Sequence, residues 1–123
     1  MVAVKEYHIP LVLPASKYQC PGPCGCLRNY LREYLTLLLH QEDPNLEVEE
    51  LTLNIRDESK NFIVYEIRAK VTYPRECKNM LEYQDVIQKI DWAMKRFTAF
   101  IRKFGDSETA NWMARATEDD KNP

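Results

Sequence analysis

Glycine is scarce in this sequence. Only three glycines occur in 123 residues, so neither of the glycine-rich loops that cradle phosphates can be built. No apolar run approaches the ~20 residues that a membrane-spanning helix needs, and Lys5, Glu6 and His8 break up the apolar residues that a signal peptide would keep together. An intracellular setting is therefore expected. Charge of one sign is also missing: 17 basic against 19 acidic residues leave a net charge of -2. This lacks the overall electrostatic footprint of a nucleic-acid binder and leaves only local patches open. The two histidines, His8 and His40, stand beside no recognisable Ser or Cys nucleophile motif. General acid-base work needs paired titratable groups in a pocket, whereas the acidic residues are dispersed or bunched as solvated charge at Glu47, Glu49, Glu50, Asp57 and Glu58. No catalytic residue and no cofactor is expected, and the chain reads as a non-enzyme.

The sequence does contain enough apolar residues for one core. A length of 123 residues suits a single domain, and 45% hydrophobic with 29% charged residues separates the chain from disordered sequences. Tyr7, Ile9, Leu11 and Leu13 alternate within Val2 to Leu13, which reads as a strand. Pro10 inside it points to an edge position or a bulge, because proline cannot donate to a ladder. Residues Pro14 to Gly25 read as a loop. Leu27, Tyr30, Leu31, Tyr34, Leu35 and Leu38 then recur at helical spacing until Asp43-Pro44-Asn45 ends the helix.

Leu51, Leu53 and Ile55, a polar turn over Asp57 to Asn61, and Ile63, Tyr65, Ile67, Ala69 and Val71 describe a hairpin with one wet face. Leu46 and Val48 have the opposite parity to Leu51, so a bulge is expected near Glu49-Glu50. Tyr83, Ile87, Ile90, Met94, Phe97, Ile101 and Phe104 trace a long final helix, with Gly105 as its expected C-cap. This divides the chain into an α+β domain over 1–105 and a tail over 106–123, the tail carrying a short helix around Trp112 before it frays. The order βαββα implies a three-stranded antiparallel sheet with both helices on one face. So small a sheet leaves surface for a protein partner or a second copy of the chain to complete.

Three local features are candidate sites. Cys20, Cys24 and Cys26, with Cys77 far along the chain, supply the four thiolates of a tetrahedral zinc site. Their C-x3-C-x-C spacing is not that of paired zinc knuckles, and reduced thiols in a turn, or a redox pair, are the other readings. Lys89, Lys95, Arg96, Arg102 and Lys103 on the final helix could meet phosphates or form its outer face. Trp92 and Phe100 lie off the main stripe of that helix and suggest a second apolar contact surface, with packing against the Trp112 tail as the alternative.

Leu27, Asn29, Leu31 and Arg32, followed by Asp43-Pro44, match L, N, L and R of a D-H-T-L-G-N-x-L-R motif and its acidic turn. In these residues, its length and its element order, the chain resembles the small α-like assembly subunit of archaeal and eukaryotic RNA polymerases. It departs from that pattern in having Cys24, Gly25 and Cys26 at the acidic, His and Thr positions and Arg28 at the glycine. The resemblance implies a non-catalytic subunit whose helices form a dimer interface with a larger partner through Leu27, Asn29, Leu31, Arg32, Trp92, Phe97 and Phe100. Any link to nucleic acid would then be indirect. The small dimerising subunit of the tRNA threonylcarbamoyladenosine complex is similar in topology and in its Phe-Gly, here Phe104-Gly105. Lys5, Glu6, Tyr7, Leu13, Pro14, Ser16, Tyr18 and Gln19 resemble the opening of phosphatidylinositol transfer proteins, which implies a small lipid or apolar-ligand binder as the second reading. Those proteins are about twice as long because their cavity needs a larger sheet.

Overall fold

In the computed structural model, residues 2–15 and 25–121 are described. The elements run β1 (Ala3–Pro14), α1 (Gly25–Glu42), β2 (Glu47–Glu58), β3 (Phe62–Tyr73) and α2 (Met80–Lys121). The strands form one antiparallel sheet of order β1-β3-β2, which is the expected βαββα arrangement. Alternation sets its faces. On β3, Ile63, Tyr65, Ile67, Ala69, Val71 and Tyr73 are buried beneath the helices, and the residues between them face outward. Leu31, Leu35, Leu38 and Leu39 of α1 and Val86, Ile90, Ala93, Met94, Phe97 and Ile101 of α2 complete the core.

Hydrogen bonds fix where the helices begin and end. The Asn79 side chain accepts from the Glu82 N–H (2.9 Å), and the Glu82 carboxylate accepts from the Lys78 N–H (3.0 Å), so two otherwise orphaned donors at the start of α2 are satisfied. After α1, the Asp43 side chain accepts from the Asn45 N–H (2.9 Å), turning the chain into β2. The helices are antiparallel: Tyr34 near the start of α1 meets Phe100, with centroids 4.2 Å apart, while Arg96 donates to Gln41 near its end. α2 lies over β1 and α1 over β2.

Three boundaries differ from the sequence expectation. β1 includes Pro14, and β2 runs from Glu47 to Glu58, beyond the alternating Leu51 to Ile55 segment. α2 does not stop at Gly105 but continues to Lys121, so Gly105 is not its C-cap. Gly105 is buried against β1 instead: a Cβ there would lie 3.1 Å from the Val12 carbonyl oxygen and 3.3 Å from Leu11 Cδ1. Its missing side chain lets helix and strand approach closely, and no proline or glycine follows it before Asn122 to end the helix. The expected bulge is present, as a register shift between Val48 and Glu50, and a second shift lies between Ile55 and Asp57.

The register also shows which way the backbone of β1 points. Ala15 donates to the Asn61 carbonyl (2.9 Å) and continues the pairing of Ala3 with Tyr73 without a slip. Since bonded pairs recur every second residue, the odd-numbered residues of β1 bond to β3, and Val4, Glu6, His8, Pro10 and Val12 turn their N–H and C=O groups to the free edge. Pro10 therefore costs the ladder nothing, and the expectation of an edge strand is met.

Candidate protein interface

The helix layer brings together most of the residues expected to meet a partner, but it divides them. Leu31 and Phe97 are both fully buried and belong to the chain's own core. Leu27 and Phe100 are partly buried against it, and Phe100 stacks with Phe104 and Tyr34 (centroids 6.1 and 4.2 Å). Arg32 donates to the Val48 carbonyl (3.1 Å), so it holds β2 rather than standing free. Asn29 and Trp92 are exposed. Trp92 and Phe100 do not share one surface: Phe100 turns into α1, while Trp92, 54% exposed, faces outward with the Lys95 ammonium 5.9 Å from its ring.

Two apolar residues of α1 join Trp92 on the outside of the layer. Tyr30 is 51% and Leu37 57% exposed, and their spacing of seven places them on one side of the helix. The sequence spacing places Tyr30 on the core stripe and assigns Leu37 to no site. The available signal was the run Leu37-Leu38-Leu39, because three consecutive side chains span ~200° of a helix and cannot all face one core. Basic charge accompanies these residues. From Trp92 to Gly105, α2 carries Lys95, Arg96, Arg102 and Lys103 and no acidic residue. Arg96 meets Glu42 at 4.0 Å, and Lys89 is held between Asp43 (3.4 Å) and Asp85 (3.2 Å). Among the described residues, Lys95, Arg102 and Lys103 have no carboxylate partner.

Elsewhere several titratable groups are paired structurally. Asp91 of α2 accepts from the Tyr7 hydroxyl (2.5 Å) and Lys5 (2.8 Å), tying the helix to β1. Burial raises the Asp91 pKa, but the bonds from Lys5 and Tyr7 outweigh it and hold the carboxyl below its ordinary value. The Tyr7 phenol is pushed up, first by burial and then by the Asp91 bond and charge. On the uncovered face of the sheet, Arg68 pairs with Glu6, His8 (2.9 Å) and Arg56 with Glu66, and Lys70 with Glu49 (3.5 Å). The His8 bond is the main cause that lowers Glu66, and the Arg68 bond the main cause that lowers Glu6. This solvated ion-pair ladder presents no isolated acid or base.

Of the zinc candidates, Cys20 and Cys24 lie outside the described residues. Cys26 is exposed near the start of α1, and Cys77 is buried before α2. Cys26 lies in the first turn of α1 and Cys77 before the first turn of α2, and the two helices run antiparallel. Among the described residues, no group of three metal-ligating side chains comes together, and no helix is long and apolar enough to cross a membrane. Comparison with family models, curated proteins and solved structures gives no match.

Proposed function

We propose that the chain is a non-catalytic assembly subunit that docks a larger protein through the outer face of its helix pair. The observation that carries this reading is the half-exposed Trp92, capped by Lys95 and sharing the outer helix layer with exposed Tyr30 and Leu37. Tryptophan, tyrosine and arginine anchors of this kind supply most of the energy of protein interfaces. Asn29 and the outer edges of Leu27 and Phe100 would flank the contact, while Leu31 and Phe97 would support it from within. The element order and the Leu27, Asn29, Leu31 and Arg32 match favour an α-like subunit of a polymerase or tRNA-modifying complex as the partner. The lipid-binding alternative has less support: the hollow between β1 and α2 measures ≈ 190 Å³, below the 300–1,000 Å³ usual for ligand sites, and three wider hollows of ≈ 300 to 430 Å³ are lined largely by polar or charged side chains.

Native mass spectrometry of the tagged chain purified from its own cells tests this. A stoichiometric protein partner is expected with the wild type and is lost in the double variant Trp92→Ala, Leu37→Ser, while the melting temperature stays within a few degrees. A chain that is monomeric in both forms, carries lipid mass, or keeps its partner in the variant contradicts the reading.

A further inference from the structure

The sheet presents a second surface, independent of the helix face. β1 is an edge strand, and Val4, Glu6 and His8 turn their N–H and C=O groups away from β3. Among the described residues, no hydrogen bond reaches those groups. Beyond Pro10 the edge closes, because the Val12 carbonyl lies beneath Gly105 of α2. Between the closing helix and the strand is a hollow of ≈ 190 Å³, whose lining includes Ile9, Leu11 and Ile101 and the polar Thr98, Arg102 and Asp106. An open run of backbone donors and acceptors thus leads into an apolar recess the size of a side chain.

We propose that this edge takes up an extended segment of a partner polypeptide as a fourth strand beside Val4 to Pro10, with one apolar side chain of that segment seated in the recess. Ladder hydrogen bonds would supply affinity and the recess selectivity, as strand addition requires. Arg102 and Asp106 both line the recess, so the polar positions of the segment meet a charge of each sign there. A second copy of the chain is a poor occupant. Antiparallel pairing of two β1 strands would bring the two α2 helices, each lying over its own β1, to about one strand spacing of ~4.8 Å, where packed helices need 8–10 Å. A single extended segment carries no such helix.

Selection of a displayed library of random nine-residue peptides against the purified chain tests this. Recovered peptides are expected to alternate apolar and polar residues around one apolar anchor, and to bind unchanged to Trp92→Ala, which separates this site from the helix face. His8→Pro removes an outward N–H that the fold does not use and should weaken binding at least tenfold, whereas His8→Ala keeps it. Thr109→Trp, which fills the recess, should weaken binding similarly. Recovery of no peptide above background, equal binding to His8→Pro and wild type, or occupation of the edge by self-association of the wild-type chain overturns the proposal.

Discussion

The two edges of the sheet are built from strands of equal length and are managed differently. β2 carries Glu47, Glu49, Glu50, Asp57 and Glu58, is broken by two register shifts, and has the outward Val48 carbonyl occupied by Arg32. Charge, bulges and a side-chain cap are each recognised ways of preventing strand addition. β1 pairs with β3 over twelve residues without a slip, exposes Val4 and Val12, and has its outward Val12 carbonyl approached by α2 at Gly105. The β1 edge has its own protection in Lys5, Glu6 and Pro10, so among the described residues the two edges differ in how much outward backbone is left open rather than in whether they are guarded.

Proline substitution tests the comparison most severely. Tyr7→Pro removes an inward ladder donor, leaves its acceptor on β3 buried and unpaired, and breaks the Asp91 bond, a loss of about 3 kcal/mol or more. His8→Pro, one residue away, removes an outward donor and should cost less than ~1 kcal/mol; chemical denaturation of the two variants compares them directly. Gly105→Val forces a branched side chain against the Val12 carbonyl and Leu11, and should destabilise by about 1–3 kcal/mol, because the helix loses its close approach to the covered end of β1. Arg32→Ala frees the Val48 carbonyl and should cost about 1 kcal/mol, with faster amide exchange confined to the Val48 bulge.

The smallest effect is acidic. Asp91 and Asp43 have folded pKa values below the ordinary 3.8, so the stability they contribute is complete above that value and is lost as pH falls through the lower folded values. In each case burial opposes the shift, while bonds from Lys5 and Tyr7, or from Asn45 and Lys89, exceed it. Lys5→Met should flatten the loss of stability below pH 4, measured by thermal melts across pH 2–6, and should leave the β2 edge unaffected.

Much of this architecture is legible in the sequence because it is local. Period-two alternation in Ile63 to Val71 sets the faces of β3, the parity change between Val48 and Leu51 marks the bulge, and Pro10 marks the edge. Gly105 misleads for a physical reason: a glycine near the end of a hydrophobic stripe has the same local signature whether it caps a helix or admits a neighbouring strand, and only β1, more than ninety residues earlier, distinguishes the two. The same distance hides the Tyr7–Asp91 bond. The division of the aromatic residues between core and surface is also nonlocal, since Phe100 is drawn inward by Tyr30 and Tyr34 of α1, whereas Trp92 meets no ring among the described residues.

The central claim is that β1 alternates between a paired side and an open one, and residue-resolved amide hydrogen exchange of the isolated chain measures it most directly. Slow exchange at Lys5, Tyr7, Ile9 and Leu11 with fast exchange at Val4, Glu6 and His8 is the result expected. Uniform protection along the strand would contradict the claim, because the outward groups would then already have a partner within the protein or a second copy of it.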